Sequence, residues 1–261
     1  MNSINKTLYI PLYGKSYVSK KGLFLKDPKA EEIWASEDFE LKGKSKSKWL
    51  AYYMGIRSAV FDQWTKAQMN CLQDAVVLHI GCGMDARALR IGVTGHQWYD
   101  IDFPQVMEER KRYYEETDSY HMLASDVRSN DWPQVLPQSE EAIVVMEGVS
   151  MYLTAEDLQS LMESLAQRFS KVVLLMDCYT SLAAKLSKYK NPINDVGVTQ
   201  VYGIDDPALF ESCGISFYQE HSMTPCSYID ELSGIEKRIF SKLYAGEFSQ
   251  KLYRLYEYRK G

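Results

Sequence analysis

The sequence predicts an α/β fold in which helices cover both faces of an open, mostly parallel sheet. Three short apolar runs indicate buried strands, at residues 75–80 (AVVLHI), 142–146 (AIVVM) and 172–176 (VVLLM). Apolar residues that follow one another without alternation are typical of strands buried on both faces, as in a parallel sheet. Helix-periodic segments separate these runs, and the alternation of strand and helix implies right-handed crossovers.

Weaker signals fill in the region between the first two apolar runs. Residues 96–101 and 120–124 are predicted to form two further strands. Pro104 suits the first position of a helix, because a backbone N–H there would have no intrahelical partner. Thr154 followed by Asp157 resembles a capping box, and an apolar stripe at helical spacing continues behind it.

The two ends of the chain predict different elements. Residues 46–70 have the periodicity of an amphipathic helix and precede the first strand. A short helix is expected to start at residues 205–207 (DDP) and to end at Gly214, followed by a strand at residues 215–220. A helix at residues 228–244 and an antiparallel edge strand at residues 251–260 (KLYRLYEYRK) complete the prediction.

The length of 261 residues fits one large domain with a sizeable core. We expect residues 1–261 to form that single domain, with a helical cap at residues 1–72 and the sheet at residues 73–261. Residues 180–203 are expected to contain a lid over the pocket. No feature of the sequence predicts an oligomeric state.

Charge and cysteine usage narrow the class of protein. The net charge is −5 and the isoelectric point is about 5.5, which argues against a nucleic-acid partner, and the lysine-rich run at residues 42–48 is interpreted as a solvated loop. The 5 cysteines have no metal-ligand spacing, so reduced thiols and no metal site are expected. No signal-peptide core or run of about 18 apolar residues is present, which predicts a cytoplasmic protein without membrane contact.

The strongest local signal is the segment at residues 76–86 (VVLHIGCGMDA). A buried strand leads into a turn where Gly81 and Gly83 let the backbone approach a ligand, and a helix follows. This turn is also compatible with a dinucleotide site. Asp100 and Asp102 end the next strand, where a carboxylate can bind ribose hydroxyls in either fold.

Acidic residues recur at the ends of the following strands. Asp126 follows the third strand and Glu147 follows the fourth. Ligands of open α/β sheets bind at the carboxyl ends of the strands, so these groups are expected to surround a nucleoside. A second mononucleotide-binding half with its own glycines is not evident, which favours a single nucleoside over a dinucleotide.

The sequence resembles the leucine carboxyl methyltransferase family, which includes polyketide O-methyltransferases of the tetracenomycin type. The likeness lies in motifs at residues 7–15 (TLYIPLYGK), 27–33 (DPKAEEI), 55–62 (GIRSAVFD), 78–90 (LHIGCGMDARALR), 99–104 (YDIDFP) and 147–153 (EGVSMYL). The resemblance implies a class I, Rossmann-like methyltransferase fold and S-adenosylmethionine (SAM) as cofactor.

The resemblance also implies a cofactor role for each position that matches the motifs. The methionyl part would contact Arg57 through its carboxylate, Glu147 through its amino group, and the turn at Gly81 and Gly83. The ribose would bind Asp102, and the adenine would meet Asp126 and Val127.

Departures from the family pattern are also informative. Lys15 stands where relatives have arginine and cannot make a bidentate contact to a carboxylate. Asp100 replaces a glutamate. Asp85 and Arg87, in contrast, match the family motif and are interpreted as a structural pair beneath the turn. The absence of an Asn-Pro-Pro-Tyr motif after the fourth strand favours oxygen over nitrogen as the methyl acceptor.

The acceptor is expected to be a small molecule, with a carboxylate favoured over a phenol or an alcohol. A carboxylate is already a nucleophile, whereas a hydroxyl needs a general base within hydrogen-bond reach. His79 lies in a buried strand and is interpreted as a core residue, and no base is assigned. The candidate acceptor-pocket residues are Tyr152, Asp177, Tyr179 and His221.

Two other functions fit the same residues. One is an NAD-dependent oxidoreductase, because the glycine turn also satisfies a dinucleotide fingerprint. The other is a SAM-binding scaffold without catalysis, which uses the helix at residues 46–70 for a partner. Turnover of an acceptor would distinguish an enzyme from a scaffold.

Overall fold

The computed structural model describes residues 8–37, 41, 43–93, 95–129, 131–190 and 200–261. Within these residues seven strands form one sheet, in the order β3-β2-β1-β4-β5-β7-β6. The strands are β1 Val76–Ile80, β2 Trp98–Asp102, β3 Tyr120–Ala124, β4 Glu141–Met146, β5 Lys171–Tyr179, β6 Ser216–His221 and β7 Tyr253–Lys260.

Helices precede, connect and cover the strands. They are α1 Tyr9–Lys21, α2 Pro28–Ser36, α3 Lys48–Cys71, α4 Arg87–Ile91, α5 Pro104–Arg110, α6 Ala155–Arg168, α7 Ser181–Lys190, α8 Cys226–Ile229, α9 Gly234–Leu243 and α10 Glu247–Gln250. Short 3₁₀ turns lie at Gly43–Lys46, Trp132–Val135, Ser150–Tyr152 and Pro207–Cys213.

Strands β1 to β5 are parallel, as the apolar runs predict, and β7 is antiparallel to both of its neighbours. The prediction that the last strand lies at the edge of the sheet is wrong, because β7 pairs with β5 on one side and with β6 on the other. Its charged residues suggested an edge. Glu257 is nevertheless buried, because Trp64 and His221 donate hydrogen bonds to it.

Two apolar cores lie on opposite faces of the sheet. On one face the cap helices contribute Ile56 and Phe61, which belong to the same buried cluster as Val77 of β1. On the other face Leu161 of α6 belongs to a cluster with Leu78 of β1. Alternate residues of β1 therefore face different helical layers, which explains why the run is apolar throughout.

Several helix ends follow the chemistry expected of their residues. Thr154 and Asp157 form a complete capping box at α6, Pro104 occupies the first turn of α5, and Gly214 ends the turn at Pro207–Cys213 with φ +82°. The helix predicted at residues 228–244 is instead two helices, α8 and α9. The break lies at residues 230–233, and the extended Ser233 is the N-cap of α9.

Close packing of α1 against α3 places the cap on the sheet. A Cβ on Gly14 would lie 2.7 Å from the Cβ of Met54, and a Cβ on Gly55 would lie 2.7 Å from Cγ2 of Val18. The two backbones can approach this closely because neither glycine has a side chain. Arg57 follows Gly55 by two residues and is thereby held over the carboxyl ends of the strands.

Other features predicted from composition can be compared with the described residues. Among these, no helix is long and apolar enough to cross a membrane, no group of three or more His, Cys, Asp or Glu could hold a metal ion, and the 5 cysteines are unpaired. Residues 191–199 of the expected lid segment lie outside the described residues, as do residues 1–7 of the cap. The cap and sheet boundaries and the cytoplasmic location stay predictions.

Candidate functional site

A cavity of about 700 Å³ opens at the carboxyl ends of the parallel strands, beneath α1 and α3. The strand order reverses between β1 and β4, and this switch point is where open α/β sheets bind ligands. One part of the wall comes from the turns after β1, β2 and β3. The other part comes from α3, α7 and the segments that follow β4 and precede β7.

The glycine turn after β1 requires both of its glycines. Gly81 has φ +66°, and a Cβ on it would lie only 2.2 Å from Cγ2 of Val149. Gly83 has φ +52°, and its amide donates a hydrogen bond of 2.8 Å to Oδ2 of Asp102. Residues with side chains rarely adopt these φ values, so the turn can form only with glycine.

Asp102 is the acid of β2 that reaches the cavity. Its two carboxylate oxygens accept hydrogen bonds of 2.8 Å from the amides of Gly83 and Phe103, and 9% of the residue is exposed. Burial raises the pKa of Asp102, although these two amide bonds lower it. Each oxygen keeps a lone pair that a ligand hydroxyl could use.

Asp100 lies on the same face of β2 as Asp102, but its side chain is fully buried and does not line the cavity. It accepts hydrogen bonds from Trp98 at 2.8 Å and Tyr120 at 2.6 Å, and it pairs with Arg110 and with Nδ1 of His79. Burial would raise the pKa of Asp100, but Arg110 and His79 outweigh it and lower the pKa to about 2. Asp100 is therefore a buried structural acid.

Arg57 and Glu147 form an ion pair at the carboxyl end of β4. Arg57 is 4% exposed, and its Nε donates a hydrogen bond of 3.0 Å to Oε1 of Glu147. The same oxygen accepts a 2.8 Å bond from Ser58, and Oε2 of Glu147 pairs with Arg87. Burial would raise the pKa of Glu147, but the two arginines outweigh it and lower the pKa to about 2. Both Arg57 and Glu147 line the cavity.

A second set of ion pairs lies beneath the glycine turn. Asp85 pairs with Arg87 at 3.4 Å, with Arg90 at 2.6 Å and with Nζ of Lys15 at 3.1 Å. Arg87 and Arg90 also pair with Asp62 of α3. The pairing of Asp85 with Arg87 agrees with their interpretation as a structural pair, and Lys15 joins the same cluster.

The acid predicted to meet the adenine lies outside the cavity wall. Asp126 makes a bidentate ion pair with the exposed Arg128, which lowers the pKa of Asp126. Its neighbours Ser125, Val127 and Arg128 line the cavity, but Asp126 does not. Two N–H groups of Arg128 engage the carboxylate of Asp126, and its contact with the adenine stays a prediction.

The part of the cavity over β5 and β7 is aromatic and apolar. Tyr53 stacks on Tyr253 with ring centroids 6.1 Å apart and an interplanar angle of 22°, and Tyr179 meets Tyr253 at 5.0 Å and 67°. Tyr152, predicted from the sequence, lines the same part with 37% of its surface exposed. Apolar side chains complete this part of the wall, namely Leu50, Met54, Met151, Ala183, Leu186 and Leu252.

Two predicted pocket residues do not line this cavity. Asp177 is fully buried beneath it, where its carboxylate pairs with Arg57 and accepts a 2.6 Å bond from the amide of Gly148. His221 lines a separate hollow of about 290 Å³, and its Nε2 is bonded to Glu257 at 2.6 Å. Both side chains satisfy buried partners, and their assignment to the acceptor pocket stays a prediction.

Two residues of the cavity wall, Tyr53 and Tyr253, are not predicted from the sequence. Tyr53 lies in the predicted helix at residues 46–70, where its helical spacing indicates core packing rather than a cavity. Tyr253 lies in the strand predicted at residues 251–260, where no local pattern places its side chain at a cavity. The clustering of tyrosines in the last strand was a visible signal, but only the pairing of β7 with β5 brings Tyr253 to Tyr179.

Comparisons with known proteins agree with this architecture. A family model described as leucine carboxyl methyltransferase matches residues 8–166. Tetracenomycin polyketide synthesis O-methyltransferase TcmP of Streptomyces glaucescens is 27% identical over 241 residues, which are 91% of this chain and 89% of the relative. S-adenosyl-L-methionine-dependent methyltransferase dpfgK of Gibberella zeae is 26% identical over 152 residues, 53% of this chain and 51% of the relative.

A solved structure shares the fold. Magnesium protoporphyrin IX methyltransferase (ChlM) from Synechocystis PCC 6803 with bound SAH superimposes with a TM-score of 0.52 at 14% identity. The match covers 95% of this chain and 97% of that structure, so the likeness extends over the whole sheet and its helices.

Proposed function

This chain belongs to the leucine carboxyl methyltransferase family and is a SAM-dependent methyltransferase, and we propose that it methylates a carboxylate oxygen of a small molecule. The two alternatives left open by the sequence, an NAD-dependent oxidoreductase and a SAM-binding scaffold without catalysis, are not retained. The relative that matches 91% of the chain is an O-methyltransferase.

The described cavity wall fits SAM. The carboxylate of Asp102 can accept hydrogen bonds from ribose hydroxyls, and Val127 offers an apolar surface to the adenine. At the methionyl end, Arg57 would bind the carboxylate and Glu147 the amino group, while the turn at Gly81 lets the backbone approach. Each charge of the zwitterionic end of the cofactor would therefore meet a side chain of opposite charge.

The hydroxyl groups of the aromatic wall support the proposal of a carboxylate acceptor. Tyr53 and Tyr152 both line this part of the cavity. The ordinary pKa of a tyrosine is about 10, so both hydroxyls keep their protons at neutral pH and can donate hydrogen bonds. Hydroxyl donors suit a carboxylate, which offers only acceptor oxygens. They cannot remove a proton from a phenol or an alcohol.

The ionisable residues of the described wall lie on the other side of the cavity. The acids and histidine that line it are His79, Asp85, Asp102 and Glu147. His79 and Asp102 belong to β1 and β2, whereas Asp85 and Glu147 follow β1 and β4. Each of the four is already hydrogen-bonded or ion-paired. Nε2 of His79 accepts from Arg87 at 3.2 Å and its Nδ1 faces Asp100, so neither nitrogen can take a proton from an acceptor.

A carboxylate acceptor needs only to be positioned. SAM supplies a methyl group activated by its sulfonium. Holding the acceptor oxygen in line with that group can contribute roughly 7–11 kcal/mol to lowering the barrier. The tyrosine donors would orient the carboxylate, and the apolar side chains around them would exclude water from the reacting oxygen.

The product identifies the acceptor atom. The protein is incubated with SAM labelled in the methyl group and with matched pairs of aromatic carboxylates and phenols, and the product is then treated with mild alkali. We expect volatile labelled methanol, which indicates an ester, and a higher KM for the carboxylate in Tyr53→Phe. An alkali-stable label on oxygen would indicate an ether and refute the carboxylate assignment, and a label on nitrogen, sulfur or carbon would refute oxygen altogether.

A further inference from the structure

The guanidinium of Arg57 is held by partners from three neighbouring strands. Its Nε donates to Glu147 after β4 at 3.0 Å, and its Nη1 donates to Asp177 on β5 at 3.0 Å and to the hydroxyl of Tyr253 on β7 at 2.8 Å. Both hydrogens of Nη1 are thus engaged. No described residue accepts a hydrogen bond from Nη2, which lies beside Gly148, where an added Cβ would be 3.3 Å away.

The hydroxyl of Tyr253 connects two buried charges. It accepts a hydrogen bond from Arg57 and donates one to Oδ2 of Asp177. Burial raises the pKa of Tyr253, so the proton remains on the hydroxyl and the direction of both bonds is fixed. Without this hydroxyl, Arg57 would lose an acceptor and Asp177 a donor, and the guanidinium would be free to turn toward its remaining carboxylate partners.

The ring of Tyr253 belongs to the acceptor part of the cavity. It is 9% exposed, stacks on Tyr53 and meets the edge of Tyr179. The aromatic wall therefore fixes the ring, and the ring fixes where its hydroxyl lies. One side chain touches both the arginine of the cofactor side and the wall of the acceptor side.

We propose that Tyr253 is a positioning residue that acts through Arg57, holding Nη1 so that Nη2 faces the cavity and the methionyl carboxylate of SAM. This inference rests on the proposed role of Arg57 in the cofactor site. It has a specific consequence: the hydroxyl of Tyr253 matters for ligands that carry the carboxylate and not for the nucleoside alone.

Two ligands separate these contributions. S-adenosylhomocysteine carries the amino-acid end, whereas 5′-methylthioadenosine has the same nucleoside and thioether without it. Calorimetric titration is performed on the wild type, Tyr253→Phe, Arg57→Ala and the double variant. We expect Tyr253→Phe to raise the Kd of S-adenosylhomocysteine roughly tenfold, the usual effect of losing a hydrogen bond to a charged group, and to change the Kd of 5′-methylthioadenosine by less than about twofold.

A matched control lies on the same strand. Tyr258→Phe also removes a buried tyrosine hydroxyl from β7, but Tyr258 packs in the core on the other face of the sheet. It should leave both Kd values unchanged. Asp177→Asn is a second test that keeps the ring of Tyr253 intact, and it should weaken S-adenosylhomocysteine selectively as well.

The double variant distinguishes positioning from general loss of structure. If Tyr253 acts through Arg57, then Tyr253→Phe should have no further effect on S-adenosylhomocysteine once Arg57 is alanine. Additive losses, or equal weakening of both ligands by Tyr253→Phe, would overturn the proposal, as would an unchanged Kd in both Tyr253→Phe and Asp177→Asn. If Arg57→Ala itself leaves S-adenosylhomocysteine binding unchanged, the role assigned to Arg57 is wrong and the proposal fails with it.

Discussion

Asp102 and Asp100 lie on the same face of β2, but their substitution should have different effects. Replacing Asp102 should weaken cofactor binding, whereas replacing Asp100 should lower the stability of the fold. In Asp102→Ala the carboxylate proposed to bind the ribose is removed. A hydrogen bond to a charged acceptor contributes about 1.5–3 kcal/mol, so losing two weakens S-adenosylhomocysteine about 100-fold or more. The amides of Gly83 and Phe103 lie at the cavity, where water can replace the lost acceptor, so the free energy of unfolding should change by less than about 1 kcal/mol.

Asp100→Ala should have the opposite effect. Arg110 is fully buried and pairs with Asp100, so the substitution leaves a buried guanidinium without its carboxylate partner. Breaking a buried ion pair in this way costs about 3–5 kcal/mol. Each kcal/mol corresponds to roughly 2–4 °C in a chain of this size, so Tm should fall by about 10 °C. Asp100 does not line the cavity, so the affinity of the folded fraction should remain within about threefold.

Thermal unfolding is measured on each variant. Calorimetric titration of S-adenosylhomocysteine is then performed on the same preparations at a temperature below the lowest Tm. Tyr258→Phe is the control for an ordinary buried substitution on the sheet. Equal losses of affinity in Asp100→Ala and Asp102→Ala would refute the assignment of Asp102 to the ribose. A fall in Tm for Asp102→Ala as large as that for Asp100→Ala would show that Asp102 is a structural acid too.

Two further predictions concern stability. Burial alone would raise the pKa of Glu257, but hydrogen bonds led by those from His221 and Trp64 outweigh it and lower the pKa from 4.5 to about 2. The resulting stabilisation of about 3 kcal/mol is complete above pH ~5 and is lost as the pH falls toward 2. In urea unfolding, the free energy of unfolding of Glu257→Gln should therefore fall less over this pH range than that of the wild type. An equal dependence on pH in the two proteins would contradict this. The buried hydroxyl of Tyr258 has no hydrogen-bond partner among the described residues. Tyr258→Phe should therefore leave the free energy of unfolding unchanged or raise it by about 1 kcal/mol. A decrease of that size in chemical denaturation would show that the hydroxyl has a partner.

The sequence predicts the parallel part of the sheet well because its signals are local. The apolar runs at residues 75–80, 142–146 and 172–176 correspond to β1, β4 and β5 within a few residues at each end. The glycine turn is equally local, since the φ values of Gly81 and Gly83 depend on adjacent backbone. The family motifs extend this to the fold and the cofactor, which the comparisons confirm.

The last third of the chain is harder to predict because its elements depend on distant partners. The strand at residues 251–260 has charges that are typical of an edge, yet it is inserted between β5 and β6. Glu257 can be buried there because Trp64 from α3 and His221 from β6 supply donors. These residues are far apart in the chain, so no local pattern indicates that the charge is satisfied.

The sequence by itself determined the fold class, the glycine turn and the set of acids at the strand ends, because apolar runs, φ-restricted turns and strand parity are properties of neighbouring residues. Only the tertiary structure decided which of those acids reach the cavity. Asp102 does, whereas Asp100 and Asp177 lie beneath it, bonded to the buried Arg110 and Arg57. Parity fixes the face of the sheet on which a side chain lies, but depth depends on the partners that pack around it. The same packing brings Tyr253 of the last strand into contact with both parts of the site, with Arg57 on one side and the aromatic wall on the other.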